Sequence, residues 1–211
     1  MTKHTGILFC AAVLTATTAF AQYKMEPIST APPNLPAAYA SLVQSQGYRI
    51  TGPDGPWCDI WFRKTIPTGP KSDQPSVAFP TIQQGTFLGI LQFPGKGADR
   101  RGQTINAGVY TLRYSLNPVN GDHGGIAPQR DFALMTPIAN DTDPNAMPTF
   151  EALVAMSTKA SNSPHPAVLE LEPPLGTTFP AFAKEGDHDW PLSVKIGDLA
   201  ISIILAGQVE T

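Results

Sequence analysis

Apolar runs of four to ten residues, each closed off by glycine, proline or asparagine, leave this chain almost no room for a long helix. The 22 prolines and 18 glycines among 211 residues do the dividing. A proline removes a backbone donor that a helix interior or a central strand needs, so each one pushes a boundary. Gly52-Pro53-Asp54-Gly55-Pro56 illustrates the pattern, because it separates a run Tyr48 to Thr51 from a run Trp57 to Ile66 and reads as the tight turn of a hairpin. Further strands are expected at Val77 to Gln83, Thr86 to Phe93, Val109 to Leu116, Asp131 to Thr136, Val168 to Glu172, Thr178 to Ala183, Leu192 to Ile196 and Leu199 to Ala206. Short strands without regular helical crossovers predict a mostly β chain, an antiparallel sandwich or barrel.

Two helices interrupt the series. Leu35, Tyr39, Leu42 and Val43 share a helical face between Asn34 and the stop at Gly47, and Phe150 to Lys159 suits a second short helix with Phe150, Leu153 and Val154 on one side. Within Trp57 to Ile66 the two-residue period puts Cys58, Ile60, Phe62, Lys64 and Ile66 on one face. Trp57, Asp59, Trp61 and Arg63 fall on the other. Cys58 is therefore expected in the core, where a thiol acts as a small hydrophobe.

The segment Ala107-Gly108-Val109-Tyr110-Thr111-Leu112-Arg113-Tyr114 resembles the G-x-Y-x-L strand of transthyretin-like and carboxypeptidase-regulatory-like sandwich domains. That resemblance covers eight residues. It supports the expected fold class, an antiparallel sandwich of jelly-roll-like or transthyretin-like type, and implies an accessory or structural role, and it brings no functional residues with it.

The order of the first residues, Lys3 and His4, then the apolar stretch Gly6 to Leu14, then Ala19-Phe20-Ala21, is that of a cleavable secretory signal. Residues 1–21 are thus expected to be removed, leaving residues 22–47 as an extended arm with a short helix and residues 48–211 as one β domain, secreted or periplasmic. After cleavage no membrane span is expected, because the remaining runs fall short of the length that crosses a bilayer. Loss of Lys3 leaves 13 basic against 17 acidic residues, a formal charge of −4, which argues against a nucleic-acid partner. Cys58 is the one cysteine outside residues 1–21, so no disulfide can form within the mature chain.

Three histidines lie outside the signal. Asp122-His123, His165 and Asp187-His188-Asp189 combine imidazole with carboxylate, a donor set that suits zinc if the three loops converge. Asp141-Thr142-Asp143-Pro144-Asn145 supplies the first oxygen positions of a calcium loop, but Ala146 and Ala152 stand where its glycine and bidentate glutamate belong. The loop Asn117 to Gly125, with Asp122 and His123 and then Arg130 and Asp131 at the next strand's edge, is the expected place for a ligand. Trp57 and Trp61, four residues apart on one face, could stack on alternate sugars of a glycan if they are not buried. Serine-hydrolase, phosphate-loop and dinucleotide motifs are absent. Two readings follow: a non-enzymatic binding or accessory module for a glycan or another exported protein, and a metal-dependent hydrolase using His123, His165 and His188 with nearby aspartates.

Overall fold

The computed structural model describes residues 22–32, 34–119 and 130–208. In chain order these form β1 (Lys24–Ile28), α1 (Ala37–Ala40), β2 (Gly47–Gly52), β3 (Gly55–Phe62), β4 (Phe87–Phe93), β5 (Gly97–Ala98), β6 (Thr104–Ile105), β7 (Gly108–Leu116), β8 (Asp131–Pro137), α2 (Phe150–Ser161), β9 (Val168–Glu172), β10 (Ala181–Phe182), β11 (Trp190–Ile196) and β12 (Leu199–Ala206). β5 and β6 make a small hairpin of their own. The other strands form one ten-stranded sheet in the order β1-β2-β3-β4-β7-β8-β9-β12-β11-β10, antiparallel at every pairing. The chain is mostly antiparallel β, as its turn-divided sequence predicts.

The sheet curls on itself. Cys58, Ile60 and Phe62 of β3 share a core cluster with Leu192, Val194 and Ile196 of β11 and with Ile201, Ile203 and Leu205 of β12, from the far end of the strand order. Trp57 Nε1 donates to the Leu205 carbonyl at 2.8 Å, and the Tyr23 ring lies 5.6 Å from that of Trp190. The apolar stripe of β12 thus meets the stripe of β3 across one interior, which removes both from water. Outside the sheet are two smaller clusters. Tyr39, Val43, Trp61, Phe87 and Ile90 form one, under the α1 segment, and Leu153 of α2 closes over Phe132 and Leu134 of β8 in the other.

Several expectations need correction. The helix expected from Asn34 to Gln46 is one turn, Ala37–Ala40, with no side-chain cap. Beyond it the backbone turns to the sheet: Gln44 N–H donates to the Phe62 carbonyl and Lys64 N–H to the Leu42 carbonyl. Tertiary hydrogen bonds here displace the helix that periodicity favours. The arm upstream is a sheet strand, with Lys24 to Ile28 paired along Gly47 to Thr51. Val77 to Gln83 is not a strand, and only Ile82 makes a bridge, to Thr68. Thr178 to Ala183 shrinks to Ala181–Phe182.

The shared face of Trp57 and Trp61 is overturned by a β-bulge. Ile50 pairs with Cys58 and Thr51 with Pro56, so Trp57 is the extra residue. It rolls to the core side, where its ring meets Phe93 edge-on at 5.6 Å. Trp61 stays on the opposite face, 2% exposed, its indole N–H donating to the Thr30 carbonyl at 3.0 Å. Gly47 admits it: a Cβ there would sit 2.5 Å from the Trp61 ring.

Candidate functional site

The connection from β3 to β4 is rich in proline and joins no ladder, so its backbone groups find partners among themselves, on β8 and, near its ends, on Leu42, Leu88 and Tyr114. Gly69 N–H donates to the Thr81 carbonyl at 2.9 Å, Ser72 N–H to the Pro80 carbonyl at 2.7 Å, and Gln83 Nε2 to the Pro70 carbonyl at 3.0 Å. The resulting flap is pinned by two adjacent residues. Asp131, 1% exposed, accepts from Ala78 N–H at 2.8 Å, from Phe79 N–H at 3.0 Å and from the Tyr114 hydroxyl at 2.5 Å. Arg130 donates through Nε to the Asn117 carbonyl at 2.7 Å and through Nη1 to the Pro75 carbonyl at 3.2 Å. Burial, then the Asp131 carboxylate, push the Tyr114 hydroxyl far above its ordinary pKa, so it stays a donor.

Between this flap, the end of β7 and the start of α2 lies a cleft of about 630 Å³. Val77, Ile82, Leu116 and Phe150 give it an apolar floor, and Lys71, Gln84, Arg130 and Glu151 a polar rim. Gln84 Oε1 accepts from the Ser115 hydroxyl at 2.9 Å, while Gln84 Nε2 is buried without a partner among the described residues. An unmet buried donor is costly, and a turn of the Gln84 side chain toward the cleft would bring it to an acceptor there. A second recess of about 580 Å³ lies along the same flap, beside Ser76, Pro80 and Pro173.

Two other polar clusters are built differently. The residues that begin like a calcium loop wrap an arginine instead. Arg113, fully buried, donates to Asp141 through Nε at 2.6 Å and Nη2 at 2.8 Å, and to the carbonyls of Asp143 at 2.6 Å and Ala146 at 2.7 Å. Thr111 adds a hydroxyl donor to Asp141 at 2.6 Å. A guanidinium thus takes both carboxylate oxygens of Asp141, the first ligand position of the calcium expectation, while Asp143 Oδ1 accepts from the Asn145 N–H at 2.9 Å. Burial opposes ionisation of Asp141, but the hydrogen bonds from Arg113 and Thr111 outweigh it and hold its carboxyl below the usual range.

Glu170 and Glu172 point to one side of β9. Glu170 is 7% exposed, its Oε2 has no partner among the described residues, and burial raises its pKa to about 6. Burial, then the nearby Glu185 and Asp189, raise Glu172 to about 7. Arg100 eases that crowding while held by Asp189 through a bidentate pair at 2.9 and 2.6 Å.

Of the residues singled out in the sequence, Arg130 lines the cleft and Asp131 anchors its wall. Asp122 and His123 lie outside the described residues. His165 and His188 are exposed, and among the described residues no three His, Cys, Asp or Glu side chains stand close enough to hold a metal ion. Cys58 is buried, and burial pushes its thiol well above the ordinary pKa. Lys71 and Gln84 escaped the sequence reading. The density of proline around Lys71 marks a loop, but nothing local shows what it folds over. Comparison with protein-family models, with curated proteins and with solved structures gives no match.

Proposed function

We propose that this chain is an exported binding or accessory module whose ligand site is the cleft under the 68–84 flap. The observation that carries this reading is the pinning of the flap. Arg130 and Asp131 tie a proline-rich wall that lies outside the strand ladder into one position, which is the preorganisation a binding site needs if ordering is not to be charged against affinity. A volume of about 630 Å³ with mixed polar and apolar lining falls in the range of small-molecule sites. Export, to the periplasm or outside the cell, rests on the signal-like order of residues 1–21. In the same reading the architecture is a β-sandwich of jelly-roll or transthyretin type, supported by the single core that both ends of the sheet share. Glycan stacking on Trp57 and Trp61 is not part of it, since Trp61 is buried.

A fragment screen on ¹⁵N-labelled mature protein tests the site. Binding compounds should shift the amides of Val77, Gln84 and Leu116. Shifts clustered elsewhere, on the Glu170–Glu185 side for example, would overturn the assignment.

A further inference from the structure

We infer that the cleft takes a small carboxylate carried on an apolar body, an inference that rests on the cleft being the binding site. What the rim offers is donors. Gln84 has its Oε1 engaged by Ser115 and its Nε2 buried and in need of an acceptor, which a small turn of the side chain toward the cleft would supply. Two nitrogens of Arg130 are held by backbone carbonyls, which sets the guanidinium plane, and its other N–H groups meet no acceptor among the described residues. Lys71, exposed on the flap, makes no ion pair among the described residues. α2 also begins at the cleft, with Thr149 capping the Ala152 N–H, so the positive end of a twelve-residue helix faces the same space. Glu151 is the acidic side chain on the rim; it is exposed, and it stands against two cations and the helix end.

Donors and positive charge on one rim select an anion with acceptor oxygens, and a planar guanidinium matches a carboxylate through paired hydrogen bonds. The apolar floor selects what the carboxylate is attached to. Val77, Ile82, Leu116 and Phe150 would bury an aryl or acyl body that a bare inorganic anion lacks.

Benzoate, benzamide and benzylamine share one apolar body and differ in charge, so titrating each into ¹⁵N-labelled mature protein separates the two demands. Benzoate should shift the Gln84 side-chain amide and the Arg130 Nε–H, and bind at least about tenfold more tightly than benzamide, with benzylamine weakest. Inorganic phosphate should bind more weakly than benzoate. Lys71→Gln should weaken benzoate by about threefold and leave benzamide unchanged. Gln84→Glu, which replaces the free donor by a second negative charge, should abolish benzoate binding while the remaining amide spectrum stays native. If benzamide or benzylamine matches benzoate at these residues, the anion is wrong and the cleft stands. If phosphate matches it, the apolar body is wrong. If none of them touches the cleft while the fragment screen maps there, the ligand class falls alone; if the screen maps elsewhere too, the site falls with it.

Discussion

Asp141 and Glu170 both lie against the same sheet with almost no exposure, 4% and 7%, and their surroundings treat them in opposite ways. Asp141 takes hydrogen bonds from Arg113 and Thr111 and titrates below the usual carboxylate range. Glu170 leaves one oxygen unmet and titrates at about 6. Asp131 belongs with Asp141, its three donors coming from the flap and Tyr114. Two of the satisfied carboxylates fasten irregular chain: Asp141 the segment after β8, Asp131 the flap. A buried carboxylate with partners is a fastener, and one without them is a proton site near neutral pH.

The sharpest way to break this contrast is Arg113→Ala, which strands Asp141 without its cation and should cost about 3–5 kcal/mol in denaturant unfolding. A second replacement, Asp141→Leu on top of Arg113→Met, should recover part of that loss. No recovery would mean the guanidinium acts mainly through the carbonyls of Gly85, Asp143 and Ala146.

Asp131→Asn comes next, because an amide can accept on one atom only and its NH₂ would confront a backbone donor. A loss of about 1–3 kcal/mol is expected, together with faster hydrogen exchange at Ala78 and Phe79. Unchanged exchange there would show that Asp131 does not hold the flap.

Glu170→Gln should act with the opposite sign. Its folded pKa is raised from 4.5 to about 6, so the folded state binds the extra proton and wild-type stability falls as pH rises across that window, levelling off above it. The substitution should leave stability unchanged near pH 4 and raise it by roughly 1–2 kcal/mol at pH 8. Asp141 behaves in the reverse sense: its depressed pKa gives stabilisation that is present above 3.8 and lost as pH falls through the folded value. A wild-type profile that is flat from pH 4.5 to 7 would remove Glu170 from the proton-site class.

The smallest effect belongs to Arg49→Ala. Its pair with Asp59 at 2.7 Å is nearly as short as that of Arg113 at 2.6 Å, but the arginine side chain is 41% exposed, and a loss below about 1 kcal/mol is expected. A larger loss would show that distance, and not burial, separates the fasteners from ordinary surface pairs.

Much of the sheet was legible because a strand's signal is local. Val168 to Glu172 and Leu199 to Ala206 have the bounds their alternation predicts, and Cys58, Ile60 and Phe62 face the core as their period requires. What escaped depended on partners distant in sequence. A single bulge moved Trp57 off the face of Trp61, and no pattern in Trp57 to Ile66 marks where the register slips. Asp131 reads in the sequence as a polar residue at a strand edge, but its flap partners stand 52 and 53 residues away, so whether it meets a ligand or the flap is a tertiary question. The acidic run from Asp141 reads as a calcium loop until the arginine it encloses is known.

The two borders of the sheet bear on how copies of this chain treat one another. β1 exposes most of its side chains, carries Lys24 and Glu26, and includes Pro27, which has no N–H to donate. β10, at the other border, is two residues long. A ten-stranded sheet with open borders would ordinarily be a template for edge-to-edge aggregation. Here one border lacks a donor and carries charge, and the other is too short to recruit a strand, so the sheet is a poor template for stacking on its own kind.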